Sequence, residues 1–234
     1  MKYDCIVIDD ELDIAKTTAE YFEMFGIKTT YATEYDEGMK LFTENEVSLL
    51  ILDINLRERS GFNFCKSIRE ESDIPILFIS ARDSEGDILT GLNIGGDDYI
   101  IKPFTLNILL AKAKTMLKRY QTYISMNKEE PIVSSVPAHI TLDHNYRQVS
   151  VNGEIVKFKN QEFRLLAYLI KHCNRVISKE ELFEKVWEDV YVSDVTLNVH
   201  IRRIREKIEK DPKNPKYIKT IWGVGYVFEV KVPT

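Results

Sequence analysis

Two apolar patterns alternate along the first half of the chain. Short runs in which nearly every residue is apolar, such as Leu49-Leu50-Ile51-Leu52, are bounded by polar residues and read as strands buried on both faces. Between them, apolar residues recur at helical spacing, as at Ile14, Tyr21/Phe22 and Phe25, where Gly26 supplies the stop. The pattern predicts strands over 3–8, 27–31, 47–52, 74–79 and 99–101. It predicts helices over about 14–25, 34–42, 61–70, 84–94 and 105–120. Five strands alternating with five helices predict an α/β doubly wound, five-stranded parallel sheet over residues 1–120.

The pattern then changes. Residues 121–137 hold no sustained period and carry Pro131 and Pro137, so a flexible linker is expected. Alternation resumes over 140–142, 148–151 and 154–158, with Asn152-Gly153 as a hairpin turn, and predicts a small antiparallel sheet. Three helices follow. Asn160 is expected to cap the first, and Ser178-Lys-Glu-Glu181 forms a capping box for the second. The third runs from about 193 to 210, with Leu197, Ile201, Ile204 and Ile208 as its core stripe. A glycine-turned hairpin, 217–221 with 226–230, closes an α+β domain spanning 138–234.

With 44% hydrophobic residues the chain has enough apolar material for real cores. No apolar run approaches the ~18 residues of a membrane span. The start, Met1-Lys2-Tyr3-Asp4-Cys5, has no leader pattern. Cys5, Cys65 and Cys173 lack metal or redox spacing; buried thiols and a cytoplasmic location are expected. The formal charge of -5 is uneven: residues 1–121 carry -8 and residues 122–234 carry +3. Two modules with different partners follow from that asymmetry.

The chemistry gathers at the carboxyl edge of the expected sheet, where open α/β sheets hold ligands. The strand ends deliver Asp9 and Asp10, Asp53, Ser80 and Lys102. Any one of these aspartates alone reads as a helix cap or loop start. Three converging carboxylates repel one another, and a hard divalent cation such as Mg2+ resolves the repulsion. Asp53 then either binds metal only or attacks phosphorus as a nucleophile. Ser80 is a hydrogen-bond donor for a phosphoryl oxygen and Lys102 a point charge beside it. Together these groups suit phosphoryl transfer.

The set Asp9-Asp10, Asp53, Ser80-Ala81-Arg82, Tyr99 and Lys102-Pro103-Phe104 resembles the receiver domain of bacterial two-component response regulators. Gly91-Leu92 and Gly95-Gly96-Asp97-Asp98-Tyr99 resemble its OmpR/PhoB branch. The resemblance implies that Asp53 accepts a phosphoryl group from a sensor histidine kinase. It implies Mg2+ held by Asp9 or Asp10, Asp53 and the backbone carbonyl of Asn55. It further implies a switch in which Ser80 is drawn to the phosphoryl group and the Tyr99 ring turns inward. The peptide before Pro103 is expected to be cis. Active members dimerise through their receivers. On that face Ile88 and Ile108 replace the family's basic and acidic pair and are expected to meet across the dimer, while Asp98 and Lys112 keep a second intersubunit pair. After Asp53, the run Asn-Leu-Arg-Glu-Arg-Ser-Gly lacks the family's proline near Arg57, which leaves the loop less pre-set.

Residues 138–232 resemble the winged helix-turn-helix effector of the same branch, through Glu162-Phe-Arg-Leu-Leu, Val199-His-Ile-Arg-Arg-Ile-Arg and Gly223-Val-Gly-Tyr. The resemblance places the third helix in the major groove of promoter DNA and the hairpin against the adjacent minor groove or backbone, with dimers on direct-repeat half-sites. RNA polymerase is a further partner on this reading. Val195, Val199, Arg202 and Arg203 are expected on the solvated face, flanked by Thr196, His200 and Arg205. Small apolar groups beside arginines match thymine methyls and guanine acceptors. Val195, Arg202 and Arg203 are the specificity candidates. Thr196, Arg205, Lys219 and Trp222 are candidates for phosphate and sugar, and His200 is either a phosphate donor or a satisfied flank residue.

Two other readings stay open. A phosphatase of the HAD type also uses an aspartate nucleophile, but places an acid/base aspartate where Asn55 stands and leaves residues 138–234 unexplained. The other is a constitutively dimeric DNA-binding regulator that no longer depends on phosphorylation.

Overall fold

The computed structural model describes residues 1–57, 59–126, 133–135, 139–143, 148–188 and 192–230, with the side chains of 123–126 and 133–135 excepted. The chain divides into two compact units, Met1–Thr122 and Tyr123–Thr234. Among the described residues no helix is long and apolar enough to cross a membrane.

In the first unit, β1 (Cys5–Ile8), β2 (Thr29–Ala32), β3 (Leu50–Asp53), β4 (Ile76–Ser80) and β5 (Asp98–Ile101) form one parallel sheet in the order β2-β1-β3-β4-β5. The connecting helices are α1 (Leu12–Met24), α2 (Tyr35–Glu44), α3 (Gly61–Glu71), α4 (Glu85–Ile94) and α5 (Leu106–Met126). Side chains alternate across each strand. Val7, Ile51, Leu77 and Ile79 therefore pack under Phe22 of α1 and Leu109 and Ala113 of α5. Ile6, Ile8, Leu52 and Phe78 pack under Phe64, Cys65 and Ile68 of α3. Both faces are dry, which is why β3 reads as an unbroken apolar run. Order reverses at β1, where β2 lies on one side and β3 on the other, so the crevice for ligands opens beyond the ends of β1 and β3.

The expected linker differs from what forms. Helix α5 continues to Met126, so 121–126 are helical, and Val133–Ser135 forms strand β6. Residues 121–126 carry no sustained apolar stripe, but helix continues from α5 without needing one. Residues 127–132 and 136–137 lie outside the described residues.

In the second unit, β6 pairs with β7 (Ile140–Asp143), β7 with β8 (Gln148–Val151) and β8 with β9 (Glu154–Val156), all antiparallel. Helix α6 (Asn160–Lys171) begins one residue earlier than expected: Lys159 is its N-cap, and the Glu162 carboxylate accepts the Lys159 N–H. After β10 (Ile177–Ser178), Ser178 Oγ caps α7 (Lys179–Leu182) by accepting the Glu181 N–H. The chain then makes a single π turn, Phe183–Trp187. Helix α8 (Asp194–Ile208), capped by Ser193, lays Leu197, Ile201, Ile204 and Ile208 into the core as the stripe predicts. Strands β11 (Ile218–Ile221) and β12 (Gly225–Phe228) pair with each other as the wing, and β12 also pairs with β10. A Cβ on Gly225 would lie 2.0 Å from the Ile177 carbonyl oxygen, so only glycine lets β12 approach β10.

Candidate functional site

The carboxyl ends of β1, β3 and β5 bring Asp9, Asp10, Asp53 and Lys102 together. Asp9 is fully buried and Asp53 is 2% exposed. One oxygen from each of Asp9, Asp10 and Asp53 lies within 4.8 Å of the others. Lys102 Nζ sits among them, 2.7 Å from Asp53 Oδ2, 2.8 Å from Asp9 Oδ2 and 3.1 Å from Glu11 Oε1. The second Asp53 oxygen, Oδ1, accepts the Asn55 N–H at 2.9 Å, and Asp9 Oδ1 accepts the Glu11 N–H at 3.0 Å. Asp9 Oδ2 is close enough to Lys102 for an ion pair but too far off axis for a hydrogen bond.

The electrostatics follow from burial. Loss of solvent pushes the Asp9 carboxyl up to about 6, against the pull of Lys102 and the Glu11 N–H. Burial raises Asp53 as well, again opposed by Lys102 and the Asn55 N–H. For Lys102 burial acts downward, yet its hydrogen bond to Asp53 and its ion pair with Asp9 carry the net shift upward. The ammonium is therefore firmly charged while the carboxyls remain under-compensated. An oxygen-only donor set of three carboxylates, one with a buried oxygen short of a donor, fits a hard divalent cation.

The loop after Asp53 is closed without the missing proline. Asn55 and Ser60 form an antiparallel bridge, and the Gly61 N–H donates to Ile54 O at 2.9 Å. A Cβ on Gly61 would fall 2.0 Å from the Asp53 carbonyl oxygen, so this glycine sets how close the loop comes to the acidic strand end. Ser80 is fully buried, and its Oγ accepts the Arg82 N–H. Tyr99 is 8% exposed and donates its hydroxyl to Arg82 O at 2.7 Å. The Lys102–Pro103 peptide is cis.

One expectation on this unit needs correction. The Asp98–Lys112 pair, expected between subunits, closes within one chain at 2.6 Å and is buried, because β5 and α5 are adjacent in the fold. Ile88 is half-buried against the core beneath α4, and Ile108 is half-buried on α5.

The effector unit also departs from expectation. Thr196, Val199 and His200, expected on or beside the solvated face of α8, are buried. Thr196 is held in the helix cap by Ser193 Oγ, and His200 meets the Trp187 ring edge-on at 5.5 Å. Arg203 lies 3.8 Å from the buried Glu162 carboxylate, which also takes Lys207. Arg205 donates to Ile218 O and Thr220 Oγ1, tying α8 to the wing. A helical wheel misses these because α6, the π turn and β11 cover more of α8 than one stripe. Val195 is half-buried, Arg202 is exposed and pairs with Glu206, Lys219 pairs with Glu229, and Trp222 is 89% exposed at the wing turn. Asn198 was missed. It is exposed, one turn from both Val195 and Arg202, and this i, i+3, i+7 spacing was the signal that could have found it.

A five-stranded parallel sheet with an acidic, lysine-bearing edge, followed by a winged helix, defines a receiver joined to a DNA-binding output. Comparison with known proteins agrees. Residues 5–114 match the family described as response regulator receiver domain, and residues 153–228 match transcriptional regulatory protein, C terminal. Response regulator SaeR of Staphylococcus aureus is 38% identical, over 96% of this chain and 97% of its own length. The transcriptional regulatory protein YcbL of Bacillus subtilis is 38% identical, over 94% of this chain and 98% of its own. The solved structure of DrrB, an OmpR/PhoB homologue from Thermotoga maritima, is 30% identical with a TM-score of 0.52, covering 98% of this chain and all of that one. The chain belongs to the bacterial two-component response regulators of the OmpR/PhoB subfamily. These are transcription regulators rather than enzymes, and their receivers generally bind Mg2+ at an acidic pocket.

Proposed function

We propose that Asp53 accepts a phosphoryl group from a sensor histidine kinase, and that the phosphorylated chain dimerises through its receiver and binds promoter DNA. The observation that carries this is Asp53 at the β3 end with one oxygen on Lys102 Nζ and the other on the Asn55 N–H, inside a three-carboxylate cluster. Asp9, Asp10, Asp53 and the Asn55 carbonyl would hold Mg2+, which when bound neutralises charge on the transferring group. A P–O bond forms to the Asp53 carboxylate as the P–N bond to the kinase imidazole breaks. Lys102 holds the attacking carboxylate in place and stays charged throughout. Ser80, two residues from a loop pinned by Arg82, is the hydroxyl that follows the phosphoryl oxygens, and Tyr99 reports that movement through Arg82 O.

On the effector, Val195, Asn198 and Arg202 on α8 and Lys219 and Trp222 on the wing are the residues proposed to face DNA, with RNA polymerase a further partner. Thr196, Val199, His200, Arg203 and Arg205 would instead hold the helix for that contact. Dimerisation through α4, β5 and α5 would use Ile108 and the 42% exposed Ile101, with Ile88 contributing its outer half. A second reading, a dimer independent of phosphate, draws on Tyr99 being already turned in.

The test is mass spectrometry and sedimentation of the wild type and Asp53→Asn with an acyl phosphate and Mg2+. A phosphoryl adduct and new dimers in the wild type only support the first reading. Equal dimerisation of both without phosphodonor favours the second.

A further inference from the structure

Arg57 brings another permanent positive charge to the acidic edge. Its Nε lies 4.0 Å from Asp10 Oδ2, and its Nη2 donates to the Asp10 carbonyl oxygen at 3.4 Å. The two cations divide the carboxylates between them: Lys102 takes Asp9, Asp53 and Glu11, while Arg57 takes Asp10. They differ in how they are held. The Lys102 side chain is 12% exposed and short-bonded, whereas the Arg57 side chain is 74% exposed with long contacts. The neighbouring Arg59 is occupied elsewhere, on Asp36 and over the Tyr35 ring.

We infer that Arg57 is a tethered counter-ion of Asp10 that competes with the divalent cation for that carboxylate and so sets the metal affinity of the site. This rests on the Mg2+ assignment made above. A guanidinium keeps its charge at any ordinary pH, so it can yield only by moving. An exposed, loosely bonded arm moves readily because such a pair holds little energy. Until it moves it weakens the attraction that draws a doubly charged ion to Asp10. Arg57 carries no chemistry on this view; it is a positioning residue that acts through charge.

The measurement is Mg2+ binding to the full-length chain by calorimetry, repeated with Mn2+ by electron paramagnetic resonance, neither of which needs a phosphodonor. Arg57→Ala should tighten binding by about three- to ten-fold at low salt. The difference should shrink as ionic strength rises, since an exposed cation is screened. Arg57→Lys should stay near the wild type, and Arg59→Ala should leave affinity unchanged. If Arg57→Ala binds Mg2+ no more tightly than the wild type, the inference fails while the metal site stands. If the wild type binds neither ion, the metal assignment itself falls, and this inference with it.

Discussion

Lys102 Nζ lies 2.7 Å from Asp53 Oδ2 and 2.8 Å from Asp9 Oδ2, one ammonium between two buried carboxylates. Removing one partner of a buried pair leaves uncompensated charge and costs about 3–5 kcal/mol. Lys102→Met should therefore lower receiver stability by that order in a chelator-treated sample, measured by denaturant unfolding with circular dichroism. Added Mg2+ should restore part of the loss by supplying the missing positive charge. A Lys102→Met protein equally unstable with and without Mg2+ would count against metal at Asp9, Asp10 and Asp53.

Asp98 and Lys112 form another buried pair, and their position inside one chain has a distinct consequence. Lys112→Met should destabilise the isolated monomer by about 3 kcal/mol, because Asp98 would stay buried alone. Adding Asp98→Asn should recover much of that loss. If instead Lys112→Met left monomer unfolding unchanged and only weakened dimers in sedimentation, the pair would be intersubunit after all.

In the effector, Arg175 and Tyr168 hydrogen-bond the Glu181 carboxylate and hold its pKa down to about 2, against an ordinary 4.5. A carboxyl depressed on folding adds stability above its unfolded pKa and loses it as pH falls toward the folded value. Glu181 should thus contribute above pH 4.5 and lose that contribution as pH drops to about 2. Carboxyl NMR titration checks this directly, and Arg175→Ala should move the midpoint back toward the ordinary range.

Arg202 and Trp222 should separate in their salt behaviour. Replacing Arg202, if it neutralises a phosphate, should reduce the slope of log affinity against log salt by about 1. Trp222→Ala should weaken DNA binding at every salt with little change of slope, since it removes apolar contact rather than charge. Fluorescence anisotropy on promoter fragments measures both. Because Trp222 is 89% exposed and Trp187 is buried, tryptophan quenching on DNA addition should vanish in Trp222→Ala.

Much of this protein was legible from local pattern. The apolar run ending in Asp53 required a strand buried on both faces, and the same logic carried Asp9, Ser80 and Lys102 to one edge. The period of Leu197, Ile201, Ile204 and Ile208 placed the inner stripe of α8. Strand and helix periodicities are local, so sequence order alone determines them. What tertiary structure decided was which polar group meets which. The Asp98–Lys112 pair lies inside one chain because β5 and α5 are neighbours in the fold. Thr196, Val199 and His200 are buried, although one helix considered alone put them on or beside its solvated face. Arg57 reaches Asp10 across 47 positions because the β1 and β3 loops end side by side. Each of these depends on distances between segments far apart in the chain, and only the packed sheet and helices fix those distances.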